Sequence, residues 1–345
     1  MKILVTGAAG FIGSHVCEYY AKRGAAVIAF DNLSRARLLH KKKADTSYNW
    51  NYLSKFKNIH RVKGDIANAK LLERLASNVD AIIHTAGQTA VTTSVEDPKT
   101  DFNTNAIGAL HVLEAARASK RKPAVVICST NKVYGDRVNQ IKLKKLKTRY
   151  DFENRYKFGV PEELGVDLCK HTPYGCSKLT ADLYAQDYAK IYGLKVGVFR
   201  MSCIYGPRQF GVEDQGWLAW FIIAALTGKP ITIYGDGKQV RDCLWVEDLV
   251  RAFDRFIKGR EKHAVVNMGG GPKNTLSLLE LVSMLQSFGL RLNLKRSIWR
   301  PSDQKVFISD IRKAKKILKW QPKVSTREGV SRLFHWVRSN LALFQ

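Results

Sequence analysis

Tyr174 and Lys178 stand four positions apart, so on a helix both side chains project from one face and a phenol lies beside an ammonium. Such a pair can move a proton. Ionising a phenol of ordinary pKa about 10 near pH 7 takes about 4 kcal/mol, and a neighbouring cation lowers that cost. The spacing alone is common on surface helices. Its meaning comes from its place, after an insert that follows an apolar run ending in Ser129-Thr130.

A second pattern binds instead of reacting. Gly7-x-x-Gly10-x-x-Gly13 directly follows the run Ile3 to Val5 and opens an amphipathic stretch, so its glycines let the backbone approach a pyrophosphate at a helix N-terminus. Asp31 ends the next apolar run, where a carboxylate binds an adenosine ribose. It would repel a 2′-phosphate, which predicts NAD as the cofactor in preference to NADP; Arg35 and Arg37 are placed to neutralise such a phosphate instead. Asp65 and Ile66, after the third run, suit either contact with the adenine or a helix cap. With the positive charge of an oxidised nicotinamide added to that of Lys178, Tyr174 is predicted to act as a general base.

The elements that must carry these residues follow from periodicity. Apolar runs at Ile3 to Val5, Val27 to Phe30, Ile59 to Val62, Ala81 to Ile83, Val125 to Cys128 and Val196 to Phe199 alternate with amphipathic stretches at Phe11 to Lys22, Lys70 to Ala76, Asn105 to Arg117 and Tyr174 to Tyr192. Such alternation predicts an α/β fold with a doubly wound parallel sheet, a Rossmann domain. Helical patterns at Trp217 to Leu226, Glu247 to Lys258 and Leu276 to Phe288 predict a smaller interleaved C-terminal substrate domain. Because Arg241 to Val246 reads as a strand feeding a helix, the cofactor domain is predicted to comprise residues 1–201 and 236–260, and the substrate domain 202–235 and 261–345. Arg137 to Leu168 is polar and basic without periodicity, and reads as a long inserted loop.

Composition narrows the class further. The 345 residues are 45% hydrophobic and 25% charged, enough to bury a large core and against disorder. The N-terminal run reads as a buried strand and not a signal peptide. The longest apolar stretch, Trp217 to Leu226, is about half of the ~20 residues that a membrane span needs. Six cysteines without a Cys-x-x-Cys pair suggest neither a zinc site nor a disulfide framework, and predict reduced thiols in the cytoplasm with no metal. The net charge of +27 would attract nucleic acid, anionic lipid or a phosphorylated small molecule. Its clusters, Lys41 to Lys43, Lys142 to Lys147 and Arg312 to Lys316, are not interleaved with aromatic residues and read as solvated faces.

The glycine motif, Ser129-Thr130 ahead of Val133-Tyr134-Gly135, Tyr174 to Lys178, Tyr205 to Gln209, Gly235 to Asp242, and Arg300 with Asp303 resemble the extended short-chain dehydrogenase/reductases that act on nucleotide sugars, in order and spacing over essentially the whole chain. The resemblance implies that Thr130 joins Tyr174 at the reacting hydroxyl, that Lys178 also holds the nicotinamide ribose, and that Arg241 and Arg300 clamp a nucleotide diphosphate. It places Phe11, Ile12, Asn32, Ser34, Arg35, Asp65, Ile66, Ala86, Gln88, Asn105, Ser129 and Met201 with the glycines at NAD. Asn131, Lys132, Cys203, Gln209, Gln215 and Asp303 would meet the substrate. It also implies a homodimer or homotetramer, paired through helices of the Rossmann domain.

Within that family the 4,6-dehydratases follow the threonine with Asp-Glu, whereas Asn131 and Lys132 here cannot supply carboxylate chemistry. Cys203 replaces an asparagine frequent in the 4-epimerases. Ser129 to Asp136, Asp214 to Trp217 and Ser302 to Phe307 are similar instead to members that invert carbon 2 of a CDP-linked hexose, which implies a CDP-sugar substrate, either a dideoxyhexose or a glucose-type sugar. A nucleotide-hexose 4-epimerase is the alternative within the family. An RNA-binding protein on the same fold is the alternative of another class, against which the retained Tyr174 and Lys178 argue; neither a nucleic-acid nor a membrane partner is expected.

Overall fold

The computed structural model describes residues 1–35, 47–300 and 303–345; Arg37, Lys41 to Lys43 and Ser302 lie outside them. Seven strands, Lys2–Thr6, Ala26–Asp31, Ile59–Lys63, Ala81–His84, Ala124–Thr130, Val196–Met201 and His263–Met268, form one sheet. Numbered in chain order, they run third, second, first, fourth, fifth, sixth, seventh across it, each pair of neighbours parallel. Helices cover both faces, so a central strand such as Ala124–Thr130 is buried at every position and shows no alternation. The first six strands are the six apolar runs of the sequence. Between the first and fourth strands the order reverses, which opens a crevice at their carboxyl ends.

One face is covered by the helices Phe11–Ala21 and Val246–Lys258. The second begins with Glu247 and Asp248 and ends with Arg255 and Lys258, charges that oppose its dipole. It buries Leu249, Val250, Phe253 and Phe256 along one stripe, and the Phe253 ring meets Phe199 of the sheet edge-on at 4.8 Å. Ala69–Ala76, Gly108–Ala118 and Thr172–Tyr192 cover the other face.

Two segments fall on the opposite side of the domain boundary from the one expected. His263–Met268 pairs in parallel with Val196–Met201 and completes the large sheet. Val240–Trp245 lies in a separate small sheet, parallel to Cys203–Tyr205 and Val306–Phe307 and antiparallel to Thr275–Ser277. Both are six-residue strands, and a strand that short carries no mark of which sheet it joins. The helix between them, Val246–Lys258, does return to the first core. The insert is also more ordered than a loop: a 3-10 segment spans Asn131–Gln140 and a hairpin pairs Leu143–Lys145 with Tyr150–Phe152. Phe152 and Val160 anchor it against Val306 and Phe307. Three-residue strands are too short to leave a period in the sequence.

Candidate active site

The crevice is a cleft of about 420 Å³. Its floor admits no side chain: Gly7 has φ +71°, and a Cβ there would stand 2.5 Å from the Ala86 amide nitrogen. A Cβ on Gly13 would strike the Gly7 carbonyl in turn. The helix Phe11–Ala21 starts at Gly10 with no side-chain cap, which leaves the leading amides at Phe11 and Ile12 to an anion. At the far end, the Asp31 carboxylate accepts from the Ala9 amide at 2.9 Å and the Leu33 amide at 2.7 Å, and burial raises its pKa. Asn32 donates to Asp65 at 2.6 Å and accepts from the Ser34 amide at 3.0 Å. Asp65 does not cap the following helix; Asn68 does, accepting from the Leu71 amide. The Asp65 side chain closes a turn on the Ala67 amide and lines the cleft, with Ile66 packed beneath it against Gly108. Arg35 also lines the cleft, its guanidinium donating to the Phe210 carbonyl at 2.9 Å.

Behind the fourth strand, Asn105 sits in a π-turn, Asn103–Ile107, and ties the loop after Ala86 to the helix Thr172–Tyr192. Its Oδ1 accepts from the Gln88 amide at 3.0 Å, while its Nδ2 lies 3.0 Å from Asp101 and 3.1 Å from the Ser177 hydroxyl. Gln88 folds its own amide back on Ala90. Asp101 and Ser177 were not singled out in the sequence. The available signal was the helical spacing of Asp101 from Asn105 and the place of Ser177 inside the Tyr174 to Lys178 motif.

Tyr174 reaches the end of the fifth strand, where its hydroxyl faces Thr130. The Lys178 ammonium lies over Gly87, 2.8 Å from where a Cβ would stand, and donates to the Cys128 carbonyl at 3.4 Å. Burial pushes Tyr174 up to about 12, Thr130 pulls it partly back, and Asp101 and Cys128 add to the rise. Burial likewise lowers Lys178, so the chain's own groups favour the neutral phenol. Ser129, expected at the cofactor, turns its hydroxyl to Asp182 at 2.7 Å; Met201 pairs beside Thr130 in the sheet and packs on the core.

On the substrate side, Asn131 donates to Gln304 at 2.9 Å, and Gln304, unremarked within the Ser302 to Phe307 run, donates on to the Gly135 carbonyl at 3.1 Å. Burial lowers the Lys132 amine to about 8, with Arg241 adding to the fall and Asp303 opposing it. Arg241 pairs with Asp303 at 2.8 Å, and Arg300 pairs with Asp214 at 3.1 Å. Cys203 is half-buried beside Cys243 on the neighbouring strand. Gln209 and Gln215, expected at the substrate, line the cleft, and Gln215 reaches across to the Thr89 hydroxyl. The Oε1 atoms of both glutamines are buried without a partner among the described residues, acceptors available to a ligand's N–H or O–H groups.

The glycine floor, the uncapped helix and the ribose carboxylate fit an extended dinucleotide. Residues 3–269 match the model of the NAD dependent epimerase/dehydratase family. The chain is 40% identical to CDP-paratose 2-epimerase of Salmonella typhi, over 98% of this chain and 100% of that protein. UDP-glucose 4-epimerase of Thermotoga maritima, solved with UDP-glucose, is similar with a TM-score of 0.81 at 32% identity, covering 99% of this chain and 100% of that one. UDP-glucuronic acid 4-epimerase of Bacillus cereus, solved with UDP-glucuronic acid and NAD, has the same TM-score at 28% identity and the same coverage. A match of this extent, to relatives covered end to end, makes the chain a member of the NAD dependent epimerase/dehydratase family, with NAD as the cofactor of its cleft.

Proposed function

We propose that this protein inverts carbon 2 of a CDP-linked hexose, of the CDP-paratose to CDP-tyvelose type or on CDP-glucose, through a transient keto-sugar. The observation that carries the reading is the end of the fifth strand. There Thr130 and Tyr174 present a hydroxyl pair, followed by an amide and an amine where a dehydratase would need carboxylates. Full-length similarity to a CDP-paratose 2-epimerase supports the carbon and the nucleotide. Bound NAD supplies a hydride acceptor and, when oxidised, a positively charged ring. Tyr174 takes the proton of the sugar hydroxyl, with Thr130 holding the same oxygen. Direct removal of the carbon 2 proton is closed to Tyr174, because that carbon has no carbonyl beside it in the ground state. Arg241 and Arg300 keep the diphosphate anchored while the planar ketone turns over, each exchanging its aspartate for phosphate oxygens.

A panel of nucleotide sugars with product analysis tests the reading, and turnover in deuterated water tests the route. Inversion at carbon 2 of a CDP-sugar with no deuterium at that carbon is expected. Inversion confined to carbon 4 would replace the reading with that of a 4-epimerase, and deuterium at carbon 2 would move the oxidation to a neighbouring carbon. Free thiols at all six cysteines fit a reducing cytoplasm. The exposed Tyr184 and Ile191, two turns apart on the helix Thr172–Tyr192, support pairing of this face with a second copy, as a homodimer or homotetramer.

A further inference from the structure

Of the cations Arg241, Arg300 and Lys132, two are already engaged. Arg241 holds Asp303, while Arg300 holds Asp214 and lies 3.8 Å above the Tyr234 ring. Lys132 differs. Among the described residues its ammonium makes no hydrogen bond or ion pair, and the charged groups that face it are Arg241 and Asp303. Lys132 is half-buried, and an amine partly withdrawn from water without a partner is costly unless a ligand provides one.

The position of Lys132 is fixed from both sides. The Asn131 to Gln304 to Gly135 chain joins the segment after Thr130 to the segment that carries Asp303. Asn139 adds two stitches, donating to the Asp303 carbonyl at 3.1 Å and accepting from the Lys305 amide at 3.2 Å. The frame therefore holds the Lys132 backbone two residues beyond Thr130.

That place matters because of how a nucleotide sugar is built. The diphosphate is carried on carbon 1, so carbon 2 is its immediate neighbour and carbon 4 lies across the ring. Bringing the carbon 2 hydroxyl to Thr130 and Tyr174 draws the sugar-bearing phosphate toward the end of the fifth strand, nearer than when carbon 4 is presented. A cation must meet it there. The geometry points to Lys132 as the specificity-determining residue: its ammonium takes the sugar-bearing phosphate beside Thr130 and so presents carbon 2, not carbon 4, to Tyr174. This rests on the proposed inversion at carbon 2. Because the amine is partly neutral near pH 8 and fully charged against a phosphate, binding draws a proton from solution.

The test uses the NAD-loaded protein and CDP as the probe, with calorimetry at pH 8 in two buffers of different ionisation enthalpy. The unsubstituted protein is expected to take up roughly half a proton per CDP, given an amine at about 8. Lys132→Met should take up none and bind CDP more than tenfold more weakly. Lys132→Arg should also take up none, yet retain most of the affinity because its charge is permanent. In product analysis Lys132→Met should lose at least tenfold in kcat/KM for carbon 2, and Lys132→Arg less. Retained NAD and an unchanged Tm identify a folded variant, and Lys132→Gln provides a second neutral side chain if Lys132→Met does not fold. Proton uptake, CDP affinity and carbon 2 turnover all unchanged in the folded neutral variant would overturn the role of Lys132 while leaving the carbon 2 reading intact. An unsubstituted protein that inverts only carbon 4 would overturn both the carbon 2 reading and the selection of carbon 2 by Lys132, and Lys132-dependent proton uptake would then report the phosphate contact alone.

Discussion

Removing the charge of Asp182 should damage this protein more than removing any exposed carboxylate. Asp182 is fully buried and accepts from Arg200 Nε at 2.9 Å, Arg200 Nη2 at 3.0 Å, the Ser129 hydroxyl at 2.7 Å and Gln186 Nε2 at 2.7 Å. Arg200 is itself 5% exposed and reaches on to the Tyr134 hydroxyl at 3.2 Å. In Asp182→Asn the guanidinium stays buried with no counter-charge and one carboxamide N–H group faces its donors, which costs about 3 to 5 kcal/mol. That is a fifth or more of the roughly 5 to 15 kcal/mol by which a folded protein is stable. Equilibrium unfolding in urea, or Tm where unfolding is irreversible, reads the loss. Arg200→Met in the same background should recover much of it, since removing both charges avoids the unpaired one. A loss below about 1 kcal/mol in Asp182→Asn, or no recovery in the double variant, would refute the reasoning that the pair is buried and mutually compensated.

Tyr174→Phe should abolish turnover while CDP affinity stays within a few-fold, because the phenol moves a proton and does not hold the diphosphate; substantial residual turnover in that variant removes it as the base. Gly7→Ala should lose bound NAD on purification, measured by absorbance and by release on denaturation, because a left-handed φ of +71° costs an alanine about 1 to 2 kcal/mol and its Cβ meets the Ala86 backbone. Retention of NAD in that variant would contradict the cradle. Acid should destabilise the protein through His15 and His84, both held at about 3 by burial. Below pH 6.5 the unfolded chain binds protons that the folded one refuses, so stability should fall by up to about 1.4 kcal/mol per pH unit for each histidine between pH 6.5 and pH 3. A Tm that stays flat over that window would show that the two rings can charge in place.

The parts legible in the sequence are those where one residue type answers one geometric demand. Only glycine accepts the backbone contact at Gly7, so its spacing announced the cradle. Runs buried on both faces announced six of the seven central strands. What stayed hidden depends on partners distant in the chain. Nothing local told Ser129 to turn to Asp182, 53 positions on, or Arg35 to reach Phe210, 175 positions on. The raised pKa of Tyr174 was hidden for a related reason: the Tyr-x-x-x-Lys spacing shows the cation but not the burial and the Asp101 carboxylate that raise it.

The crossing of His263–Met268 back into the large sheet also bears on how the chain is made and how it can diversify. During synthesis Val196–Met201 remains an open edge until nearly seventy further residues have emerged, so the intervening strands of the smaller sheets must be threaded out before the large sheet is closed. No single cut separates a cofactor half from a substrate half. Recombination of whole domains is therefore a poor route to a new sugar, and change is channelled into a few side chains at the strand ends, such as those at positions 131 and 132.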